Sequence, residues 1–193
     1  MKLFPSTGSS ALLAALCCLS AWAVAAADVQ PPGPQVFKYR VLGLFAPNRQ
    51  DDFREVMKEI PEITVEEIDF ETSEANFKFD PLVAFPTVKQ DKYIERFDNR
   101  VRTITRGMFG IRAVCEIPRD KLKFVEIPVV GLDCQGCSLA AYEAINKMEG
   151  VEQATASFKE GRVTAWIDPA KTDREALEAA LKKKNVQLTA PAN

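Results

Sequence analysis

The sequence predicts an α+β protein built from two tandem copies of a strand–helix–strand–strand–helix–strand unit. The chain has 193 residues and repeats itself at a fixed offset, the distance from Gly43 to Gly131. At that offset Gly43-Leu44 falls on Gly131-Leu132, and Asp80-Pro81 falls on Asp168-Pro169. The apolar residues between these markers stay in phase without a gap. A repeat of this kind predicts two domains of the same architecture.

The elements are clearest in the second copy, which we place at residues 123–190. Val125, Ile127 and Val129 alternate with other residues and predict a strand, and residues 138–148 predict a helix. The next strand carries Ala154, Ala156 and Phe158 on one face, and a turn at Glu160-Gly161 leads to a strand over 163–167. The capping-box spacing of Thr172 to Glu175 opens a second helix. An edge strand follows at 186–188. One sheet covered on one face by two helices is the ferredoxin-like arrangement.

The first copy, residues 36–116, has the same framework. Its second helix carries an apolar stripe of Ile94, Phe97, Val101 and Ile104. A few additional residues, Phe85-Pro86 among them, lie before that helix. Residues 117–122 are then a linker between two ferredoxin-like domains.

The amino-terminal residues 1–27 have the layout of a secretory signal. A lysine is followed by an apolar segment, and Ala25-Ala26-Ala27 stands before Asp28 as an A-x-A cleavage site. A membrane anchor is the alternative, but the apolar run from Ala11 to Val24 is shorter than the roughly 20 residues that a spanning helix needs. We therefore expect an exported protein, periplasmic or extracellular, with no integral membrane segment after cleavage. Residues 28–35 read as a proline-rich linker.

Composition excludes several classes of function. The formal net charge of −2 indicates neither a nucleic-acid surface nor an acidic-lipid surface. The chain has no histidine, which excludes histidine-ligated metal sites and catalytic triads that use histidine. After signal cleavage three cysteines remain, Cys115, Cys134 and Cys137, too few for a disulfide framework. We expect a protein that is not an enzyme.

The pattern Gly131-Leu132-Asp133-Cys134-Gln135-Gly136-Cys137 carries the chemistry of the chain. It lies between a predicted strand and a predicted helix. Two cysteines separated by two residues can converge on one small ion, and the same pair can act as a redox couple. The positive end of the helix dipole stabilises a thiolate there, and we expect the larger effect at Cys137.

With this loop and framework, residues 123–190 resemble the heavy-metal-associated domain, the module of soluble copper chaperones, periplasmic mercury-binding proteins and the amino-terminal repeats of metal-transporting ATPases. The resemblance rests on the metal loop, on Glu149-Gly150-Val151 and on Asp168-Pro169. It implies that Cys134 and Cys137 are metal ligands and that a metal-transporting membrane protein could be the transfer partner.

Two positions depart from the family pattern. Leu132 stands where the family usually has Met, a packing position at which the exchange costs less than about 1.5 kcal/mol. Asn185-Val186 stands where bacterial members tend to have Gly-Tyr. Lys184 is then the nearby candidate to offset the negative charge of a dithiolate site.

Asp133 is the candidate third ligand. A carboxylate next to two sulfurs suits four-coordinate Zn(II) better than near-linear Cu(I). It also resembles the Asp-Cys-x-x-Cys loops of zinc- and cadmium-handling ATPases. The alternative is an ordinary exposed loop residue. We expect one soft metal ion, with Cu(I) slightly favoured and Zn(II), Cd(II) or Hg(II) open.

The first copy has Ala46 and Arg49 at the two cysteine positions, so its loop offers no soft ligand. We interpret it as a degenerate domain used for packing or recognition, or else as an inert spacer.

Cys115 is expected to be a buried structural thiol in a closing strand over 111–115, with a third thiolate ligand as the alternative. Trp166 is expected to be partly exposed on the outer face, with a stacking role as the alternative. The arginines of the first copy's second helix and its exit form a solvated face or a docking surface for an acidic partner: Arg96, Arg100, Arg102, Arg106 and Arg112.

Three functions remain open on this sequence. The first is a protein that binds or shuttles a soft metal ion through the dithiolate. The second is a structural or partner-binding tandem module whose two cysteines form a disulfide outside the cytoplasm. The third is a thiol-disulfide oxidoreductase, although the thioredoxin pattern requires a longer α/β domain.

Overall fold

The chain forms two four-stranded antiparallel sheets with the same strand order. The computed structural model describes residues 33–130 and 134–189. The strand orders are β2-β3-β1-β4 and β6-β7-β5-β8. The first half contains β1 (Gln35–Leu42), α1 (Arg49–Met57), β2 (Thr64–Asp69), β3 (Glu74–Phe79), α2 (Pro81–Ala84), α3 (Tyr93–Thr105) and β4 (Gly110–Arg112). The second half contains β5 (Lys123–Val130), α4 (Gln135–Asn146), β6 (Val151–Ser157), β7 (Arg162–Ile167), α5 (Arg174–Lys183) and β8 (Gln187–Leu188). The predicted fold class, two tandem ferredoxin-like units, is confirmed.

Alternation along the strands explains why each sheet buries only one face. In β7, Val163, Ala165 and Ile167 are buried, whereas Thr164 and Trp166 between them are half-buried on the outer face. The inward residues of β5, β6 and β7 form one cluster with the apolar stripes of the two long helices of that half, Ala141 and Ile145 on α4 and Leu177 and Leu181 on α5. Both helices therefore cover the same face.

The first half has an aromatic core. Phe53, Phe77 and Phe97 are fully buried, and the rings of Phe77 and Phe97 meet edge to face at 5.0 Å. Before its long helix the chain forms the short helix α2, whose cap residue Asp80 accepts a hydrogen bond from the Leu82 N–H, and the additional residues Phe85-Pro86 follow this helix. That insertion breaks the spacing of the repeat without changing the sheet.

Three local predictions for the second half are wrong. Helix α4 begins at Gln135 instead of Ser138, because Cys134 caps it. The cap of α5 is Asp173, whose carboxylate accepts from the Ala176 N–H, instead of Thr172. Phe158 lies beyond the end of β6 and is 47% exposed, because the chain turns there into the hairpin.

Cys115 also differs from its predicted place. Strand β4 ends at Arg112, so Cys115 lies after the strand and is half-buried. Its thiol donates to the Ile117 carbonyl at 3.4 Å. Desolvation raises the pKa of the Cys115 thiol, which keeps it protonated at neutral pH. The prediction of a buried thiol within the closing strand is therefore wrong in both position and burial.

The two halves pack against each other along β6, the edge strand of the second sheet. The Ala156 N–H on β6 donates to the Phe45 carbonyl of the first half at 3.0 Å. The buried guanidinium of Arg40 pairs with the Glu152 carboxylate at 2.7 Å. The first half thus covers a strand edge that would otherwise be open to another chain.

Residues 1–32 lie outside the described part of the chain, so the predicted signal at 1–27 and most of the linker at 28–35 stay predictions. In the described segments, no helix combines the length and the apolar composition needed to cross a bilayer.

Candidate metal centre

Cys134 caps the helix that carries the second cysteine. Its backbone is extended, with φ −149° and ψ 164°, and its sulfur accepts a hydrogen bond from the Cys137 N–H at 3.2 Å. A sulfur at the cap position satisfies one of the amide groups that a helix start leaves without a partner. This bond and the helix dipole favour negative charge on Cys134. The sequence argument expected the larger effect at Cys137, and the hydrogen bond is made to Cys134 instead.

The two sulfur atoms lie 2.8 Å apart. A disulfide bond is shorter, about 2.05 Å. Two sulfurs on one tetrahedral ion with bonds of about 2.3 Å lie about 3.8 Å apart, and the separation is about 4.6 Å if the ion is linear. Metal capture therefore requires the sulfurs to separate by roughly 1 to 2 Å, a distance that one side-chain rotation provides.

Burial divides the two cysteines. Cys134 is exposed, whereas Cys137 is half-buried and packs against the core of the second half. Ser138, the next residue, is 1% exposed. Gly136 leaves the Cys134 sulfur uncovered, since a Cβ atom at position 136 would lie against that sulfur, at 3.7 Å. Cys134 is therefore the more accessible of the two cysteines.

The connection from α5 to β8 lies at the same end of the sheet as the metal loop. Val130, the last residue of β5, pairs with Gln187, the first residue of β8. Lys184 caps α5 at this end and is exposed. Asn185 has a φ of 58°, a conformation that suits glycine and is tolerated by asparagine, so it replaces the family's glycine without strain. Val186 packs against the core where the family tends to have tyrosine.

Asp133, with Gly131 and Leu132, lies outside the described residues, so its role as third ligand stays a prediction. Within residues 33–130 and 134–189 no group of three or more Cys, Asp or Glu side chains is placed to hold a metal ion. Cys115 therefore does not join the Cys134–Cys137 pair. It lines a different cavity of about 240 Å³ together with Arg40 and Glu152.

The equivalent loop of the first half is closed. Arg49, at the position of the second cysteine, is 5% exposed and pairs with Asp52. Its guanidinium lies 5.2 Å from the Phe45 ring centre and 4.5 Å from that of Phe109. Phe45 is 2% exposed and belongs to the core of the second half. These contacts favour the packing interpretation of the first copy over that of an inert spacer, although the sequence did not identify Phe45 as the contact residue.

The other singled-out side chains lie away from the cysteines. Trp166 is half-buried on the outer face as predicted, with the Arg119 guanidinium 3.7 Å from its ring centre. On α3, Arg100 and Arg102 pair with Glu62 and Asp98. These pairs favour the interpretation of a solvated face over that of a docking surface.

Comparison with known families identifies the part of the chain that carries Cys134 and Cys137. The family model of the heavy-metal-associated domain matches residues 126–186. These residues form a heavy-metal-associated domain. The match includes Cys134, Cys137 and all of α4 to α5. A comparison with curated proteins found no match.

Several solved structures are similar to part or most of the chain. A protein described as the CopZ metallochaperone is 22% identical and covers 35% of this chain and 100% of its own, with a TM-score of 0.34. Oxidized MerP from Ralstonia metallidurans CH34 is 25% identical over 37% of this chain and 99% of its own, with a TM-score of 0.35. The amino-terminal soluble domains of Bacillus subtilis CopA are 17% identical over 83% of this chain and 95% of their own, with a TM-score of 0.34.

Proposed function

We propose that this chain is an exported heavy-metal-binding protein that holds one soft ion between Cys134 and Cys137. The observation that carries the proposal is a pair of sulfurs 2.8 Å apart at the start of α4, inside a heavy-metal-associated domain. Cu(I) is slightly favoured among the soft ions, and Zn(II), Cd(II) and Hg(II) are the others. Export rests on the signal-like residues 1–27.

Binding replaces the two thiol protons with one metal ion. The Cys137 N–H and the helix start balance part of the charge on Cys134 as its proton leaves. The exposed Cys134 sulfur then turns away from Cys137 until both sulfurs reach bonding distance. Two protein ligands leave coordination positions open, so a thiolate of a partner can enter before either cysteine leaves. A metal-transporting membrane protein is the proposed partner.

A titration against competing chelators tests the proposal. Reduced protein is titrated with each of the four ions, beside a Cys134→Ser/Cys137→Ser double variant and a Cys115→Ser control. We expect the wild type and the control to compete for at least one ion and the double variant to lose that competition. Full competition by the double variant would exclude these cysteines as ligands.

The closeness of the sulfurs also permits a disulfide, formed with the loss of two electrons and two protons to an oxidant. That form has no thiolate left for a metal. We therefore expect oxidised protein to bind little or no metal, and reduction to restore binding. A disulfide-reductase assay separates the redox function, since the proposal predicts no turnover above that of a small dithiol.

A further inference from the structure

In the first half, residues 43–49 form the loop that corresponds to Gly131–Cys137 of the second half. This loop contacts α4, the helix that carries Cys137. The Gly43 N–H donates to the Tyr142 hydroxyl on α4 at 2.8 Å, inside the protein. The rings of Tyr142 and Phe45 lie 5.7 Å apart. Desolvation raises the pKa of the Tyr142 phenol, which is buried at this contact. The first half thus bonds to the helix that Cys134 caps.

The same loop also bonds to the strand on which α4 packs. The Phe45 carbonyl accepts from the Ala156 N–H of β6, and its ring is part of the second half's core. The Arg40–Glu152 pair fixes the start of β6, with the Arg40 side chain 6% exposed. Helix and strand are therefore held by one loop, through both backbone and side-chain contacts.

The loop is itself fixed within the first half. Gly43 has a φ of +97°, and a side chain there would come within 2.3 Å of the Met108 carbonyl oxygen, so only glycine fits. Leu44 is fully buried in the first half's own core. Arg49 stacks on Phe45 and Phe109 and pairs with Asp52. The contact with α4 is thus made by a rigid surface.

We propose that the first half is a positioning domain whose loop 43–49 holds α4 and thereby sets the placement of Cys134 and Cys137. Tyr142 and Phe45 are its positioning residues. Tyr142 lies five residues after Cys137, about one and a half turns along the same helix. With the helix held, Cys137 stays in place, so the Cys134 side chain makes the movement that separates the two sulfurs. The effect on metal exchange rests on the proposed function, whereas the effect on the helix start does not.

The test removes one hydroxyl group. Tyr142→Phe keeps the ring and leaves the buried Gly43 N–H without its acceptor. The matched control is Tyr39→Phe, which removes the hydroxyl of another buried tyrosine in the core of the first half. The first readout is metal-free: amide hydrogen exchange at Cys137 and Ser138, and the alkylation rates of Cys134 and Cys137 in reduced protein. The second readout is the rate at which bound Cd(II) passes to a chelator.

We expect Tyr142→Phe to raise hydrogen exchange and Cys137 alkylation roughly tenfold, and Tyr39→Phe to change them less than about twofold. Equal rates in the two variants would overturn the proposal. If Tyr142→Phe does not fold, Phe45→Leu is measured instead with the same expectations and the same contrary result. Should the wild type bind no Cd(II) or other soft ion, the proposed function fails, and the metal-free readout still decides on the positioning role.

Discussion

Cys134 combines two roles at the scale of one residue. Its sulfur is a proposed metal ligand, and in the metal-free protein it caps α4 by accepting the Cys137 N–H. A serine oxygen can cap in the same way, whereas an alanine cannot. Substitutions at this position therefore separate the structural role from the chemical one.

We predict that Cys134→Ser keeps the stability of the reduced, metal-free protein and that Cys134→Ala lowers its free energy of unfolding by about 1 kcal/mol. Both variants should lose metal. Urea unfolding of each gives the comparison. Asp173→Ser and Asp173→Ala at the start of α5 are the matched controls, with the same difference in stability and unchanged metal binding. A metal-free Cys134→Ala protein as stable as the serine variant would refute the capping role.

We predict that Asp133 decides between two coordination geometries. If its carboxylate is a ligand, Asp133→Asn should lower Zn(II) or Cd(II) affinity by at least roughly tenfold, about 1.4 kcal/mol. Cu(I) affinity should change much less, because two sulfurs satisfy near-linear coordination. Glu149→Gln is the control, a carboxylate that is 83% exposed beyond the other end of α4. Equal losses for Zn(II) and Cu(I), or no loss for either, would make Asp133 an ordinary loop residue.

Buried tyrosines give the molecule a defined response to alkaline pH. Burial raises the pKa of Tyr39 to about 12 and also raises the pKa of Tyr142. The folded protein keeps these protons where the unfolded chain, with a pKa near 10, releases them. The stability that these protonated phenols give the folded state is complete below about pH 10 and is lost as the pH rises toward 12. We predict that the free energy of unfolding falls less over that pH window for Tyr39→Phe than for the wild type, as measured by urea unfolding at successive pH values. An equal fall in the two proteins would contradict the prediction.

At the scale of elements, local pattern predicted most strands and helices correctly, because each is half-buried and repeats its period in both copies. The misses arose where tertiary contacts or unusual caps decide. Cysteine is not a usual cap residue, so the start of α4 was placed too late. Phe158 follows the alternation of β6 but belongs to the turn. The contact of Gly43 with Tyr142 joins residues 99 positions apart, and no local period reports such a pair.

The loop 43–49 of the first half offers a test at the scale of elements. We predict that Ala46→Cys/Arg49→Cys, which restores the two-cysteine spacing, creates no second metal site, because position 49 is 5% exposed between Phe45 and Phe109. The exchange also removes the partner of Asp52, so stability should fall. Chelator titration of the variant in a Cys134→Ser/Cys137→Ser background measures the site alone. Competition equal to that of the wild-type pair would show that the loop opens.

At the scale of the whole molecule, we propose different roles for two sheets of one architecture. One half carries Cys134 and Cys137, and the other covers its edge strand and contacts α4 through a loop that has Ala46 and Arg49 at the two cysteine positions. Both sheets lie in one compact unit, Pro32–Asn193. A duplicated fold would predict two metal sites, whereas the residue types and their burial leave one candidate site, the Cys134–Cys137 pair.

The number of ions per chain tests this account most directly. Non-denaturing mass spectrometry of the reduced protein with Cu(I), Hg(II), Cd(II) and Zn(II), each added in excess, reads that number without an optical signal. The account predicts one ion per wild-type chain for at least one of these metals, and none for the Cys134→Ser/Cys137→Ser variant. Two ions per wild-type chain, or one ion retained by the double variant, would contradict it.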